Sequence, residues 1–293
     1  MLKRTIIITT PCRLNIRNAQ LLIENETGTV STVPVEDLGN VIIENQQTHI
    51  TLPAMNTLIR QNVCVTICDR KSMPSGMLFP LEGNSLQGER YRLQVEASLP
   101  VKKSLWKQII ESKIRNQSIL LDKSGLDGEP LKPYYRNVKS GDSDNREGVA
   151  ASFYWKELFG HEFLRDRNGA SPNNLLNYGY AILRAATARA IVSAGLLPSL
   201  GIHHKSRYNA FPLADDLMEP FRPWVDETVL SLTRESCHDL TRETKNRLVN
   251  VVYADACVEG RRHPLSIAMT LLCASVVAVM NGEQTKLRTP ELI

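Results

Sequence analysis

The chain has 293 residues and a hydrophobic fraction of 42%, enough for one large domain or two smaller ones, which excludes a disordered protein. A formal net charge of +4 permits nucleic-acid binding only through a local basic patch. Six cysteines (Cys12, Cys64, Cys68, Cys237, Cys257, Cys273) include no C-x-x-C pair, so free thiols of a reducing cytoplasm are expected rather than a zinc knuckle. The N-terminal run MLKRTIIITTPCR is too brief for a signal-peptide core and lacks a small-residue cleavage site. The apolar run Leu265–Met280 is broken by Ser266, Thr270 and Ser275 and is shorter than the ~20 residues a membrane span needs. A buried core helix, and no membrane partner, is the expectation.

Short β-rich runs open the chain: Thr5–Thr9, Arg13–Ile16, Ala19–Glu24, Thr29–Val35, Val41–Glu44 and Val63–Cys68. Turn clusters at Asn25–Gly28 and Asp37–Asn40 separate them, and Leu52–Arg60 reads as one helix. No constellation of catalytic residues lies here, so the work of this region is pairing or packing. Residues 69–88 are rich in Gly, Pro and Ser and are the best linker candidate.

Beyond it the signal is helical. Tyr91–Ala97 and Lys102–Leu121 read as helices, the second carrying Lys102, Lys103, Lys107, Lys113 and Arg115, which predict a solvated basic face. Residues 123–145 read as loop. Asp144 and Glu147, three apart, predict a capping box at the next helix start. Ser171-Pro172 predicts an N-cap and N1 pair for a long apolar helix to Ala194, closed by Gly195. Arg184 and Arg189 in that helix must be paired or face a groove. The Asp239–Tyr253 helix carries Arg242, Lys245 and Arg247, and Arg261-Arg262 precede the last helix start. These five cations make the candidate DNA surface, and residues 283–293 read as a polar tail.

The most informative stretch is 201–223, GIHHKSRYNAFPLADDLMEPFRP. Two adjacent histidines precede Asp215, Asp216 and Glu219; a helix over Leu213–Phe221 puts Asp216 and Glu219 on one face, and Pro220 and Pro223 interrupt it. Carboxylates and an imidazole are a donor set for a divalent cation, although acids in a first helical turn also complement the helix dipole.

Gly-x-x-His followed by Leu-Ala-x-Asp-Leu-Met-Glu-x-Phe-Arg-Pro resembles the signature of the CRISPR-associated adaptation integrases. Glu-Gly-x-Ala-Ala-x-x-Tyr-Trp from Glu147 and Asn-Tyr-Gly-Tyr from Asn177 also match that family. The resemblance implies an α+β protein: a small β-rich N-terminal domain (1–78), a short linker (79–90) and an all-α catalytic domain (91–293). It implies Glu147, His204 and Glu219 as ligands of Mg²⁺ or Mn²⁺, with Asp216 ligating or supporting, and Tyr178 either near the DNA or packed in the core. It implies homodimers joined by a small ferredoxin-fold adaptation partner in a heterohexamer on double-stranded prespacer and repeat DNA, with the effector nuclease as a further candidate partner. The His-x-x-x-x-x-x-Phe-x-Leu-Ala-Asp variant from His204 and the short linker look closer to members from systems with one large effector nuclease, and Tyr208–Pro212 stands where other members often have Gly-Arg-x-Ser-Leu. The implied reaction is attack of a DNA 3′-hydroxyl on a phosphodiester. A hydrolytic metal-dependent endonuclease and a non-catalytic DNA scaffold are the rival readings.

Overall fold

The computed structural model describes residues 3–70 and 72–293; the first two residues of the basic N-terminus and Lys71 of the turn-rich stretch lie outside them. The chain folds as two compact units that divide between Ser85 and Leu86.

In the first unit, β1 (Arg4–Ile8), β2 (Cys12–Arg17), β3 (Gln20–Asn25), β4 (Val30–Pro34), β5 (Leu38–Ile43) and β6 (His49–Ile50) precede α1 (Leu52–Arg60), β7 (Cys64–Cys68) and β8 (Pro74–Leu78). They form two four-stranded sheets, ordered β1-β5-β7-β8 and β4-β3-β2-β6. The β2–β3 hairpin closes on Asn18 and Ala19, both left-handed at φ 51° and 57°, as a right-twisted two-residue turn requires. Alternation along β2 buries Cys12 and Leu14 and exposes Arg13 and Asn15. Leu14, Leu21, Leu38, Val41, Leu58 and Val65 join in one apolar core. The Thr51 hydroxyl caps α1 by accepting from Ala54 N–H. Two expectations change here. Leu38–Asn40, read as turn, starts a central strand because β1 and β7 satisfy its backbone on both sides. The turn-rich stretch contains β8, paired antiparallel with β7, so Gly and Pro there mark an edge strand as well as a connection.

The second unit is built from α2 (Gln87–Glu96), α3 (Leu99–Lys123), α4 (Lys132–Arg136), α5 (Arg146–Phe159), α6 (Asn173–Ser193), α7 (Pro212–Met218), α8 (Arg222–Arg234), α9 (Arg242–Asn250), β9 (Asp255–Val258), β10 (Arg261–Pro264), α10 (Leu265–Met280) and β11 (Glu291–Leu292). It is not all-α: its last part forms a three-stranded sheet ordered β10-β9-β11. Glu259 and Gly260 turn the β9–β10 hairpin at φ 51° and 75°, and the polar tail supplies the third strand. The tail is held because α3 reads its backbone: Asn116 Nδ2 donates to Pro290 O (3.1 Å) and Asn116 Oδ1 accepts from Leu292 N (3.0 Å).

Helix α6 is buried along most of its length, as expected, and ends with Gly195 at φ 68°. Its start differs: Pro172 occupies the N-cap position and Ser171 does not cap. Helix α10 buries a face that includes Leu265, Met269, Leu272 and Val276 while Ile267, Thr270 and Ala274 are exposed, and no helix among the described residues is long and apolar enough to cross a membrane. All six cysteines are free thiols.

Candidate metal and DNA-processing site

Helix α7 ends at Met218, where Pro220 stops it; a 3₁₀ turn over Glu219–Phe221 leads into α8. Asp216 and Glu219 therefore lie on different elements and face different partners. The Asp216 side chain is fully buried, and its carboxylate gathers the turn upstream. Oδ2 accepts from Ile202 N (2.6 Å) and His203 N (2.9 Å), and Oδ1 accepts from His204 N (3.1 Å). The same Oδ1 lies 2.6 Å from His204 Nδ1. A carboxylate only accepts, so Nδ1 carries a proton and Nε2 is left as the nitrogen available to a ligand. The hydrogen bond with Asp216 raises the His204 pKa above its usual value, against the opposing effect of burial.

The glycine of the Gly-x-x-His step follows from this packing. A Cβ on Gly201 would stand 2.4 Å from His204 O and 3.1 Å from Asp216 Oδ2, so a side chain there would displace the turn. Neighbouring His203 stacks its ring on Trp106 of α3 at 4.1 Å and 2°, and the same Trp106 meets His204 edge-on at 5.8 Å.

Glu147 sits in the first turn of α5, but it makes no capping box. Asn145, left-handed at φ 53°, is the N-cap and accepts from Gly148 N. Asp144 pairs with Arg146 instead. The Glu147 carboxylate is thus engaged by Lys113 Nζ at 2.6 Å, and the same Nζ lies 2.6 Å from Glu219 Oε2. The charge pattern of α3 predicts Lys113 on a solvated face, yet it is buried at 7% exposure. Helix α3 turns that residue inward while Asn116, one turn on, donates to Pro220 O (2.9 Å) and pins the 3₁₀ turn beside it. Burial alone would lower the Lys113 pKa, but the two carboxylates outweigh it and raise it. Burial likewise opposes ionisation of Glu147, and the Lys113 charge overcomes this and holds its pKa below the usual value.

Glu219 Oε1 pairs with Arg222 Nη2 at 2.7 Å. Arg222 lies over the Tyr180 ring at 4.7 Å, and the Tyr180 hydroxyl donates to Asp226 Oδ1. Tyr154 OH donates to the other oxygen of Asp226 at 2.7 Å. Burial pushes the Asp226 pKa up to about 6, although both hydroxyls and Arg222 favour its charged form. A buried chain of contacts from α5, α6 and α8 therefore fixes the position of Glu219.

The donor set suits a divalent cation. Two carboxylates are already assembled around a positive charge, and His204 is oriented by a carboxylate behind it. Glu219 is buried, and its Oε2 faces the Lys113 ammonium at 2.6 Å. Yet among the described residues no three His, Cys, Asp or Glu side chains form a ready-made metal cluster. The ammonium of Lys113 stands between the two glutamates.

Of the residues predicted to meet DNA, Arg242 and Arg261 are exposed. Arg262 is also exposed and lies 3.6 Å from Asp255. Arg247 is committed to Glu235 and to Ser231 Oγ (3.0 Å). Lys245 lies 5.6 Å over the Tyr178 ring, and Tyr178 is fully buried. A different basic surface adjoins the site: a cavity of about 440 Å³ lined by Lys102, Gly201, His204, Lys205, Arg207 and Asn209. Asp215 and Asn209 instead hold Arg184 at 2.7 Å each, which answers how that buried-face arginine is paired. Sequence reasoning gives no role in the site to Lys113, which it puts on a solvated face, or to Arg222 or Trp106. Arg222, three residues after Glu219, is legible as an ion pair; Lys113 and Trp106 carry no local signal, because their partners lie on distant segments.

The fold is that of solved Cas1-like proteins. A casposase bound to integration product superposes with a TM-score of 0.79 at 23% identity, over 98% of this chain and 92% of that one. A Cas6-RT-Cas1–Cas2 complex gives a TM-score of 0.78 at 20% identity, covering 100% of this chain and 37% of that longer one. In sequence, residues 5–248 match the family model "CRISPR associated protein Cas1". The chain is also 36% identical to the CRISPR-associated endonuclease Cas1 of Neisseria meningitidis serogroup C (strain 8013), over 99% of this chain and 96% of that protein. The chain belongs to the Cas1 family.

Proposed function

We propose that the chain is the divalent-metal-dependent DNA integrase of CRISPR spacer acquisition. The observation that carries this reading is the pairing of two carboxylates, Glu147 and Glu219, around one cation, with His204 oriented by Asp216 in the same unit. Glu147, Glu219 and His204 Nε2 would hold Mg²⁺ or Mn²⁺, which supplies Lewis-acid polarisation of a phosphoryl oxygen and a lower pKa for the attacking hydroxyl.

In the reaction a DNA 3′-hydroxyl oxygen forms a bond to phosphorus, the existing bond from phosphorus to a 3′-oxygen breaks, and one proton passes from the attacking to the departing oxygen. Asp216 keeps the proton on His204 Nδ1 and so fixes which imidazole nitrogen faces the reacting groups. Arg222 sets the orientation of Glu219. Lys102, Lys205 and Arg207 line the adjoining cavity with positive charge, suited to phosphodiester oxygens. Duplex DNA is the substrate, and a small Cas2-type partner in a heterohexamer with Cas1 homodimers is the assembly, a reading supported by the fold shared with a Cas1–Cas2 complex.

The test is strand transfer of a short duplex into a supercoiled plasmid bearing a repeat, with Mn²⁺ or Mg²⁺. Covalent joining that is abolished in Glu147→Ala and His204→Ala but substantially kept in His203→Ala is the expected result. Nicking without joining would favour the hydrolytic nuclease, and DNA binding with no chelator-sensitive activity would favour the scaffold.

A further inference from the structure

We infer that Lys113 is a built-in surrogate cation, exchanged for the divalent ion when the metal binds. The inference rests on the metal site proposed above. The Lys113 ammonium lies 2.6 Å from an oxygen of each glutamate, between the two side chains that would hold the ion. Glu147, Glu219, Lys113 and Arg222 already sum to zero charge. A divalent ion added beside an unmoved ammonium would meet like charge in a buried site.

A cation that moves aside would relieve this repulsion, and the structure distinguishes the two. Arg222 is a planar fork laid over the Tyr180 ring at 4.7 Å and bound to Glu219 Oε1. Lys113 ends a flexible four-carbon stem, and a compact ammonium changes partners more readily than a stacked guanidinium. Its exit lies beside Glu147, whose side chain keeps 27% exposure while that of Glu219 keeps 3%. Without the ammonium, two buried carboxylates would repel in the metal-free protein. With it, the site stays assembled, and metal affinity is set by competition with the lysine.

The experiment is Mn²⁺ binding to the full chain without DNA, followed by electron paramagnetic resonance of the free ion, together with thermal unfolding with and without Mn²⁺. Lys113→Met is expected to bind Mn²⁺ tenfold or more tightly than wild type, to unfold at lower temperature in chelator, and to regain stability with Mn²⁺. Lys113→Arg, which keeps the charge, is expected to bind no more tightly than wild type. If Lys113→Met does not fold, the ammonium resonance of Lys113 in wild-type protein, assigned by its disappearance in Lys113→Arg, is followed during Mg²⁺ titration and is expected to shift as the site fills. A gain of less than tenfold in Lys113→Met, or an unmoved ammonium resonance at saturation, overturns the inference while Glu219→Gln still abolishes binding. Binding that neither Glu147→Gln nor Glu219→Gln weakens overturns the metal site and the inference with it.

Discussion

The two units bury different things. The core of the first unit is almost wholly apolar, with Glu44 and Thr66 the only buried polar side chains among its described residues. The second unit buries Lys113, Asn116, Asp216, Glu219 and Asp226 alongside its leucines and valines. Apolar burial stabilises at about 25 cal/mol per Å² and asks nothing of geometry beyond fit. Buried charge is neutral or costly for stability unless every group is matched, so a core that keeps it is organised for something besides folding. The contrast supports the proposed placement of the chemistry in the second unit on grounds separate from family likeness.

The sharpest way to break this comparison is Glu219→Gln. It leaves Lys113 and Arg222 short of a carboxylate, and removing one partner of such a buried pair costs about 3–5 kcal/mol. Strand transfer is expected to disappear as well. Chemical denaturation and the plasmid assay read the two effects; full activity with reduced stability would make the acids structural. Stability and activity are expected to fall together at this position because Glu219 is buried and doubly paired, unlike the partly exposed Glu147.

Leu14→Ala is the counterpart in the apolar unit. Truncating a fully buried leucine is expected to cost about 2–5 kcal/mol through forfeited transfer energy and the cavity left behind. The stabilisation that Mn²⁺ gives on thermal unfolding is expected to stay as in wild type. A changed metal response would blur the division between the two units.

Asp226 sharpens the comparison through pH. Its folded pKa of about 6 lies above the ~3.9 of an unfolded aspartate, so between those values the native state holds a proton that the unfolded chain has released. Its contribution is therefore greatest below about pH 4, falls as pH rises toward 6, and is flat beyond; the span amounts to roughly 3 kcal/mol. Asp226→Asn is expected to remove this fall, measured as the difference between wild-type and variant denaturation midpoints from pH 4 to 7. A difference that does not change with pH would mean that Asp226 is ionised throughout.

The smallest effects belong to the surface. Reversing Arg242, Arg261 and Arg262 together is expected to weaken duplex binding for all sequences alike, with the slope of log K against log salt reduced in magnitude by about 0.9 for each phosphate no longer neutralised. Arg247→Ala is expected to change that slope less, since its guanidinium is already engaged by Glu235. Unchanged affinity in the triple variant would move the DNA track to the cavity lined by Lys102, Lys205 and Arg207, where filter binding of their alanine variants would find it.

Strands β1 to β4 and β7 are legible in the sequence because period-2 burial and turn residues are local properties, whereas β6, β8 and the start of β5 show as strands only through their pairing in the sheets. The spacing of His204, Asp216 and Glu219 marks the site, and the glycine and prolines that shape it stand in the same stretch. The residues alone do not say that Asp216 serves His204 while Glu219 serves Lys113. That depends on where Pro220 ends the helix and on which face of α3 turns inward. Nor do they decide between a capping box and a site residue at Glu147, because both fit the same spacing; Asn145 takes the cap, and a lysine 34 residues away takes the carboxylate. The tail reads as polar and loose for the same reason, since its hydrogen-bond partner, Asn116, lies 176 residues upstream. Local pattern determines which residues can turn, cap or ionise. Which charges meet inside the core is decided by packing between distant segments, and only the tertiary structure contains that.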